Sequence, residues 1–123
     1  MINYLLVSFG AAIGGALRYW LSNSAYKFLP PTFPYGTLII NIAGSFLVGI
    51  VIFLLDEKEM ISPQMKLLLT IGFCGGFTTF STFSLETINL IRNAQFLFAF
   101  LNVMLNLILC LGGVFLAYLI SKM

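Results

Sequence analysis

The sequence predicts an all-α membrane protein of four transmembrane helices, and three observations carry that expectation. Hydrophobic residues make up 60% of the 123-residue chain. Lys and Arg number only 6 and Asp and Glu 4, whereas about a quarter of the residues in an ordinary soluble domain are charged. The apolar residues also gather into four long stretches, and the remaining polar side chains cannot coat a water-soluble domain of this size. A soluble globule and a disordered chain are both excluded. Cys74 and Cys110 lie within apolar runs and histidine is absent, so no disulfide framework, Cys/His zinc site or histidine general base can be assembled. A net charge of +2 without a basic run leaves no phosphate-binding footprint, so nucleic acid is not an expected partner.

A bilayer core of about 30 Å takes roughly 20 apolar residues per helix. Stretches of that kind run over residues 4–21, 36–55, 66–91 and 96–120, and together they make residues 1–123 a single four-helix transmembrane domain. They are read as helices because a backbone exposed to lipid must satisfy its own hydrogen bonds. The connections hold the polar and helix-breaking residues: Pro30, Pro31 and Pro34, then Asp56-Glu57-Lys58-Glu59 with Pro63, then Arg92-Asn93-Ala94-Gln95. The first stretch does not read as a cleaved signal sequence, since Met1-Ile2-Asn3 brings no positive charge and Arg18 sits near its far end. No internal repeat is evident, which argues against inverted-repeat symmetry within one chain.

Four crossings put both termini and the second loop on one face, with Lys58, Lys66 and Lys122; the opposite face has Arg18, Lys27 and Arg92. Positive residues normally crowd on the cytoplasmic side. Three against three gives insertion little to choose between, so copies are expected in both orientations and an antiparallel pair becomes possible. The alternative is that one charge near the first crossing decides orientation.

The third stretch is unusual for a membrane helix. Gly75-Gly76 is followed by Phe77-Thr78-Thr79-Phe80-Ser81-Thr82-Phe83-Ser84, and adjacent glycines with β-branched and hydroxyl residues weaken a helix. One outcome is a break between Gly75 and Thr79, whose freed carbonyls could bind a cation in a protein-lined or hydrated space. The other is an unbroken helix with Ser and Thr bonded back to the i−4 carbonyls and Gly72 and Gly76 forming a packing face.

Polar residues elsewhere form stripes. Thr37, Asn41, Ser45 and Gly49 recur every four residues, as do Asn102, Asn106 and Cys110, and each set occupies one helix face. An amide in hydrocarbon needs a partner, so these faces should meet other helices or water, and plain helix-to-helix bonding would account for them. Phe77, Phe80 and Phe83 lie among the hydroxyls. The positive edge of a ring, beside amide and hydroxyl donors, could coordinate a small anion without a fixed charge to trap it; lipid contact or gap filling are the alternatives. Arg18 and Glu86 are the ionisable residues within the crossings. Burying either at the bilayer centre costs at least about 2.5 kcal/mol, so a role, a partner or snorkelling is expected.

Several segments resemble the bacterial fluoride channels, the Fluc or CrcB family: Gly14-Gly15-Ala16-Leu17-Arg18-Tyr19, Pro34-Tyr35-Gly36-Thr37 leading to Asn41 and Gly44, and most specifically the run from Gly72 to Phe83. The resemblance covers essentially the whole chain. It implies a passive fluoride-selective channel of the bacterial inner membrane, exporting fluoride and so reducing its toxicity, built as an antiparallel, dual-topology homodimer with two pores. It also implies a central structural sodium ion on the backbone carbonyls of Gly75 and Thr78. By position Phe80 and Phe83 would be the pore phenylalanines and Asn41 an amide donor. Ser81 and Thr82 would be hydroxyls near the path, Glu86 the acid at its end and Arg18 a vestibule cation. The last stretch departs from the family's usual hydroxyl track, having Asn102, Asn106 and Cys110, so the pore role assigned to Asn106 follows position alone. An alternative from another class is a small four-helix multidrug-type proton-coupled exporter, for which Glu86 would be the only candidate carboxylate. No acid–base pair or activated nucleophile suggests an enzyme.

Overall fold

A computed structural model describes residues 1–123 and consists of helices joined by short loops. Helix α1 spans Ile2–Ala25 and α2 spans Tyr35–Asp56. The third crossing is in two pieces, α3 over residues 63–77 and α4 over Phe80–Arg92, and α5 spans Phe96–Ser121. By length and apolar composition all four crossings can span a membrane. Two seven-residue segments, Ile50–Asp56 in α2 and Leu68–Cys74 in α3, are π-helical, with wider turns than an α-helix.

Local chemistry sets the ends. The third crossing starts at Pro63, earlier than its apolar run, because the Ser62 hydroxyl accepts the Met65 N–H at 3.1 Å and Pro63 occupies a first-turn position that needs no N–H. Helix α4 stops where Asn93 caps it and Ala94 turns left-handed at φ 59°, which lets the Gln95 N–H reach back to the Leu90 carbonyl at 2.8 Å.

Break and glycine face, alternatives in the sequence, coexist. Gly72 and Gly76 of α3 lie directly against Val7, Gly10 and Ala11 of α1, and a Cβ on Gly76 would come within 2.6 Å of the Ala11 carbonyl oxygen. On the facing side, a Cβ on Gly14 would collide with the Phe73 carbonyl. Small residues let these two backbones touch, as membrane helices require when no solvent drives them together. The back-bonding occurs as well: Thr78, Ser84 and Thr87 donate to the carbonyls of Cys74, Phe80 and Phe83 at 2.8, 2.9 and 2.8 Å. A third close approach joins α2 to α5, where Gly49 faces Val114 and Ala117.

Only 21 of the 123 residues are buried, and large apolar side chains such as Trp20, Leu97 and Phe115 are exposed. An apolar surface of this extent fits lipid and further protein, not water.

Candidate functional site at the helix break

The third crossing breaks near the middle of its length. Thr78 and Thr79 adopt extended backbone, with φ/ψ of −83°/159° and −150°/123°. This lies at the C-terminal edge of the expected interval, because Gly75, Gly76 and Phe77 stay helical. Helix α4 then restarts with Thr79 as its cap, the Thr79 hydroxyl accepting the Thr82 N–H at 3.2 Å. Gly44 of α2 makes room for the bend, since any Cβ there would run into the Thr78 side chain.

Breaking a helix inside a membrane releases backbone groups that need partners. Asn41 of α2 takes both groups of Thr79: its Oδ1 accepts the Thr79 N–H at 2.9 Å and its Nδ2 donates to the Thr79 carbonyl at 3.0 Å. Because Thr79 presents one donor and one acceptor, the orientation of the Asn41 amide follows. Arg18 of α1 donates from Nε to the Gly76 carbonyl at 3.1 Å. The carbonyls of Gly75 and Thr78 are left free. Their helical partners would be the N–H groups of Thr79 and Thr82, and these are turned onto Asn41 and onto the Thr79 hydroxyl.

Asn41 also begins a polar network into α5 and α4. Its second amide hydrogen goes to Asn106 Oδ1 at 3.3 Å; Asn106 Nδ2 donates to the carbonyl and Oδ1 of Asn102 at 2.8 and 3.0 Å; Asn102 Nδ2 donates to the Thr87 hydroxyl at 2.9 Å. The two stripes therefore meet each other.

Beside the break lies an open groove of about 680 Å³, lined by residues that include Asn41, Ser45, Gly75, Thr78, Thr79, Phe80, Phe83, Asn106 and Cys110. The Phe80 and Phe83 rings are tilted at 51° with centroids 5.5 Å apart, and Phe80 is 78% exposed. Ser81 and Thr82 cluster on the Thr79 hydroxyl at 3.3 and 3.1 Å. Asn41, Phe80, Phe83, Asn106, Gly75 and Thr78 thus share one groove, whereas Ser81 and Thr82 do not line it and reach it only through the Thr79 hydroxyl.

Arg18 and Glu86 stand apart. Arg18 approaches the break from the α1 side, and Glu86 lines a second, polar pocket of about 320 Å³ with Tyr26, Thr32, Asn89, Asn93 and Gln95. Its Oε1 is buried without a hydrogen-bond partner.

Sequence reasoning missed Thr87 and Tyr26. Thr87 lies four residues after Phe83 and so shares its helix face, a usable signal. Tyr26, whose hydroxyl accepts the Gly36 N–H at 3.2 Å, carries none.

The break with its flanking glycines, phenylalanines and threonines covers the motif on which the resemblance rests. A family model described as CrcB-like protein, Camphor Resistance (CrcB), matches residues 5–118. The chain belongs to the CrcB family. Among relatives of this CrcB chain, a protein of Coxiella burnetii (strain CbuK_Q154) named fluoride-specific ion channel FluC is 46% identical over 122 residues, 98% of each chain. One of the same name from Shewanella amazonensis is 49% identical over 116 residues, 94% of this chain and 93% of its own. Another from Magnetococcus marinus is 40% identical over 117 residues, 95% of each.

Proposed function

We propose that this CrcB chain is a fluoride-selective channel that lets fluoride leave the cell down its gradient across the bacterial inner membrane. The single observation that carries it is the mid-membrane break, where ring edges and hydroxyls share one groove with an amide that holds the backbone open. Fluoride is small and strongly hydrated, so a pore must replace its water with donors while binding weakly enough to release it. The edges of Phe80 and Phe83 supply positive potential without a fixed charge. Ser81 and Thr82 supply hydroxyls, and the N-terminus of α4 adds partial positive charge at the same depth. Asn41 meets the ion through the amide hydrogen it lends to Asn106, whose 3.3 Å bond is the longer of its two donations and the easier to exchange. Asn106 itself stays in place, held through the bonds of its own amide to Asn102. The resemblance would put Glu86 at the end of the path and Arg18 at its vestibule; in the structure both stand outside the groove, Glu86 in the second pocket and Arg18 on the α1 side.

The open groove calls for a second copy, and the balanced positive charges favour an antiparallel, dual-topology homodimer with two pores. In such a dimer the free carbonyls of Gly75 and Thr78 from both subunits face a common centre. Hard oxygen donors of this kind suit a sodium ion, which would satisfy the orphaned acceptors and add positive potential midway along the anion paths. The exporter alternative loses ground because Glu86, its only carboxylate, sits in the peripheral pocket and not in the groove.

Reconstitution in liposomes with a fluoride electrode tests the proposal: fluoride efflux without chloride efflux is expected, and no fluoride efflux or equal chloride flux overturns it. Phe80→Ile should impair flux while leaving the dimer assembled, and unchanged flux would remove the ring-edge mechanism.

A further inference from the structure

Asn102 is 1% exposed and does not line the groove, yet it sits at the centre of the polar network. Every bond in that network has a direction set by a backbone group. The Phe83 carbonyl can only accept, so the Thr87 hydroxyl that reaches it at 2.8 Å must donate. The same hydroxyl is then the acceptor for Asn102 Nδ2 at 2.9 Å. The Asn102 carbonyl, again only an acceptor, takes Asn106 Nδ2 at 2.8 Å, which orients the Asn106 amide and points its Oδ1 at Asn41. Thr79, at the other end, fixes Asn41 independently. The two settings agree, and Thr87, Asn102 and Asn106 are each at most 9% exposed.

We infer that Asn102 and Thr87 are positioning residues: a one-way relay from the Phe83 carbonyl through Thr87, Asn102 and Asn106 that holds Asn41 in the orientation required by the helix break. Asn106 lines the groove but, in this arrangement, spends both amide hydrogens on Asn102. Its contribution to the groove is the placement of Asn41 and one oxygen. An alteration at Asn102 therefore acts on the groove from outside it, on the α4 side through the Phe83 turn and on the α2 side through Asn41. The inference about flux rests on the fluoride-channel reading; the inference about the relay itself does not.

The variant Asn102→Asp separates the two. A protonated carboxyl can still donate to Thr87 and accept from Asn106, whereas a carboxylate cannot donate. The pH at which this carboxyl ionises is read from the experiment itself, over the range in which the dimer stays folded. Glu86 is next to Thr87 in sequence and is present in both proteins, so the wild-type profile subtracts its contribution. Two measurements are made on dimers in liposomes or nanodiscs across this range: fluoride efflux, and the NMR signals of the Asn41 side-chain amide. In Asn102→Asp, efflux should match wild type at the acid end, fall about tenfold or more at the alkaline end, and move in step with the Asn41 signals. Asn102→Leu and Thr87→Val should be slow at every pH, and the double variant no slower than either. A pH-independent Asn41 signal in Asn102→Asp, or additive losses in the double variant, overturns the relay. Wild type without fluoride efflux but with the Asn41 shift present in Asn102→Asp sinks the channel proposal and supports the relay.

Discussion

Replacing Asn41 with leucine tests what keeps the third crossing open. Leucine keeps the four side-chain heavy atoms and the branch at Cγ but has no polar atom, so the Thr79 N–H and carbonyl, now bonded at 2.9 and 3.0 Å, lose their partner at a half-buried position. Each orphaned group costs about 1–3 kcal/mol. The two together approach the stability of a typical small domain's weaker end, about 5 kcal/mol, so the segment must open or move. The Thr79 amide alone carries one of these terms, and a loss of about 1–3 kcal/mol corresponds to about 5–150-fold in an equilibrium. Hydrogen exchange at single amides, read by NMR in nanodiscs, should show Thr79 exchanging faster by that factor, while amides along α1 near Val7 stay as in wild type. If Thr79 exchanges at the wild-type rate in Asn41→Leu, the side chain does not hold the break and the groove needs another explanation.

Gly44→Ala should lower stability in detergent by about 1–3 kcal/mol by pressing on the stiff Thr78 side chain, whereas Gly112→Ala, with nothing within 4 Å, should raise it by about 0.5–1 kcal/mol; reversible unfolding measures both. Arg18→Met keeps the apolar stem but loses the bond to the Gly76 carbonyl, so unfolding should become easier by about 1–2 kcal/mol; a residue acting only as a vestibule charge would leave stability unchanged and alter only the salt dependence of flux. Burial pushes the Tyr26 phenol above 10.0, the Gly36 amide opposes the rise, and the Glu86 charge adds to it. The folded protein therefore binds that proton more tightly than the unfolded chain, so the stabilisation is complete below about pH 10 and is lost as pH climbs through the folded value; Tyr26→Phe should flatten this alkaline loss in unfolding scans.

Four crossings were legible because their signal, long apolar runs between prolines and charges, is a property of composition that packing does not overturn. The weakness of the third crossing was legible too, but its outcome was not. Gly72 and Gly76 serve α1, and Thr78 bonds back to Cys74 as it would in an unbroken helix. What tips the balance is Asn41, 38 residues away, together with the space at Gly44. No local propensity contains that information. The stripes were likewise readable as faces, while their mutual pairing needed the placement of α5 beside α2. The π-helical turns at Ile50–Asp56 went unread because an unbroken apolar run reads alike in either helix type.

If the proposed anion path runs through this groove, it faces opposite demands, and the network would reconcile them. A free amide hydrogen in a dry site would bind a small anion strongly and slow its exit; a groove with no donor would never remove its water. Here the Asn41 hydrogen that faces Asn106 is already in use, at 3.3 Å. An anion on that path would gain a donor only by displacing a neutral acceptor, and on leaving would orphan no hydrogen, because Asn106 Oδ1 is held in place through the bonds of its own amide nitrogen to Asn102. Entry and exit then differ by an exchange of partners, not by the making and breaking of a bond, and exchanges of that kind are worth about 1 kcal/mol where an unmet donor would cost up to about 3. A site tuned this way needs no fixed positive charge within the groove, and none of the groove-lining side chains carries one.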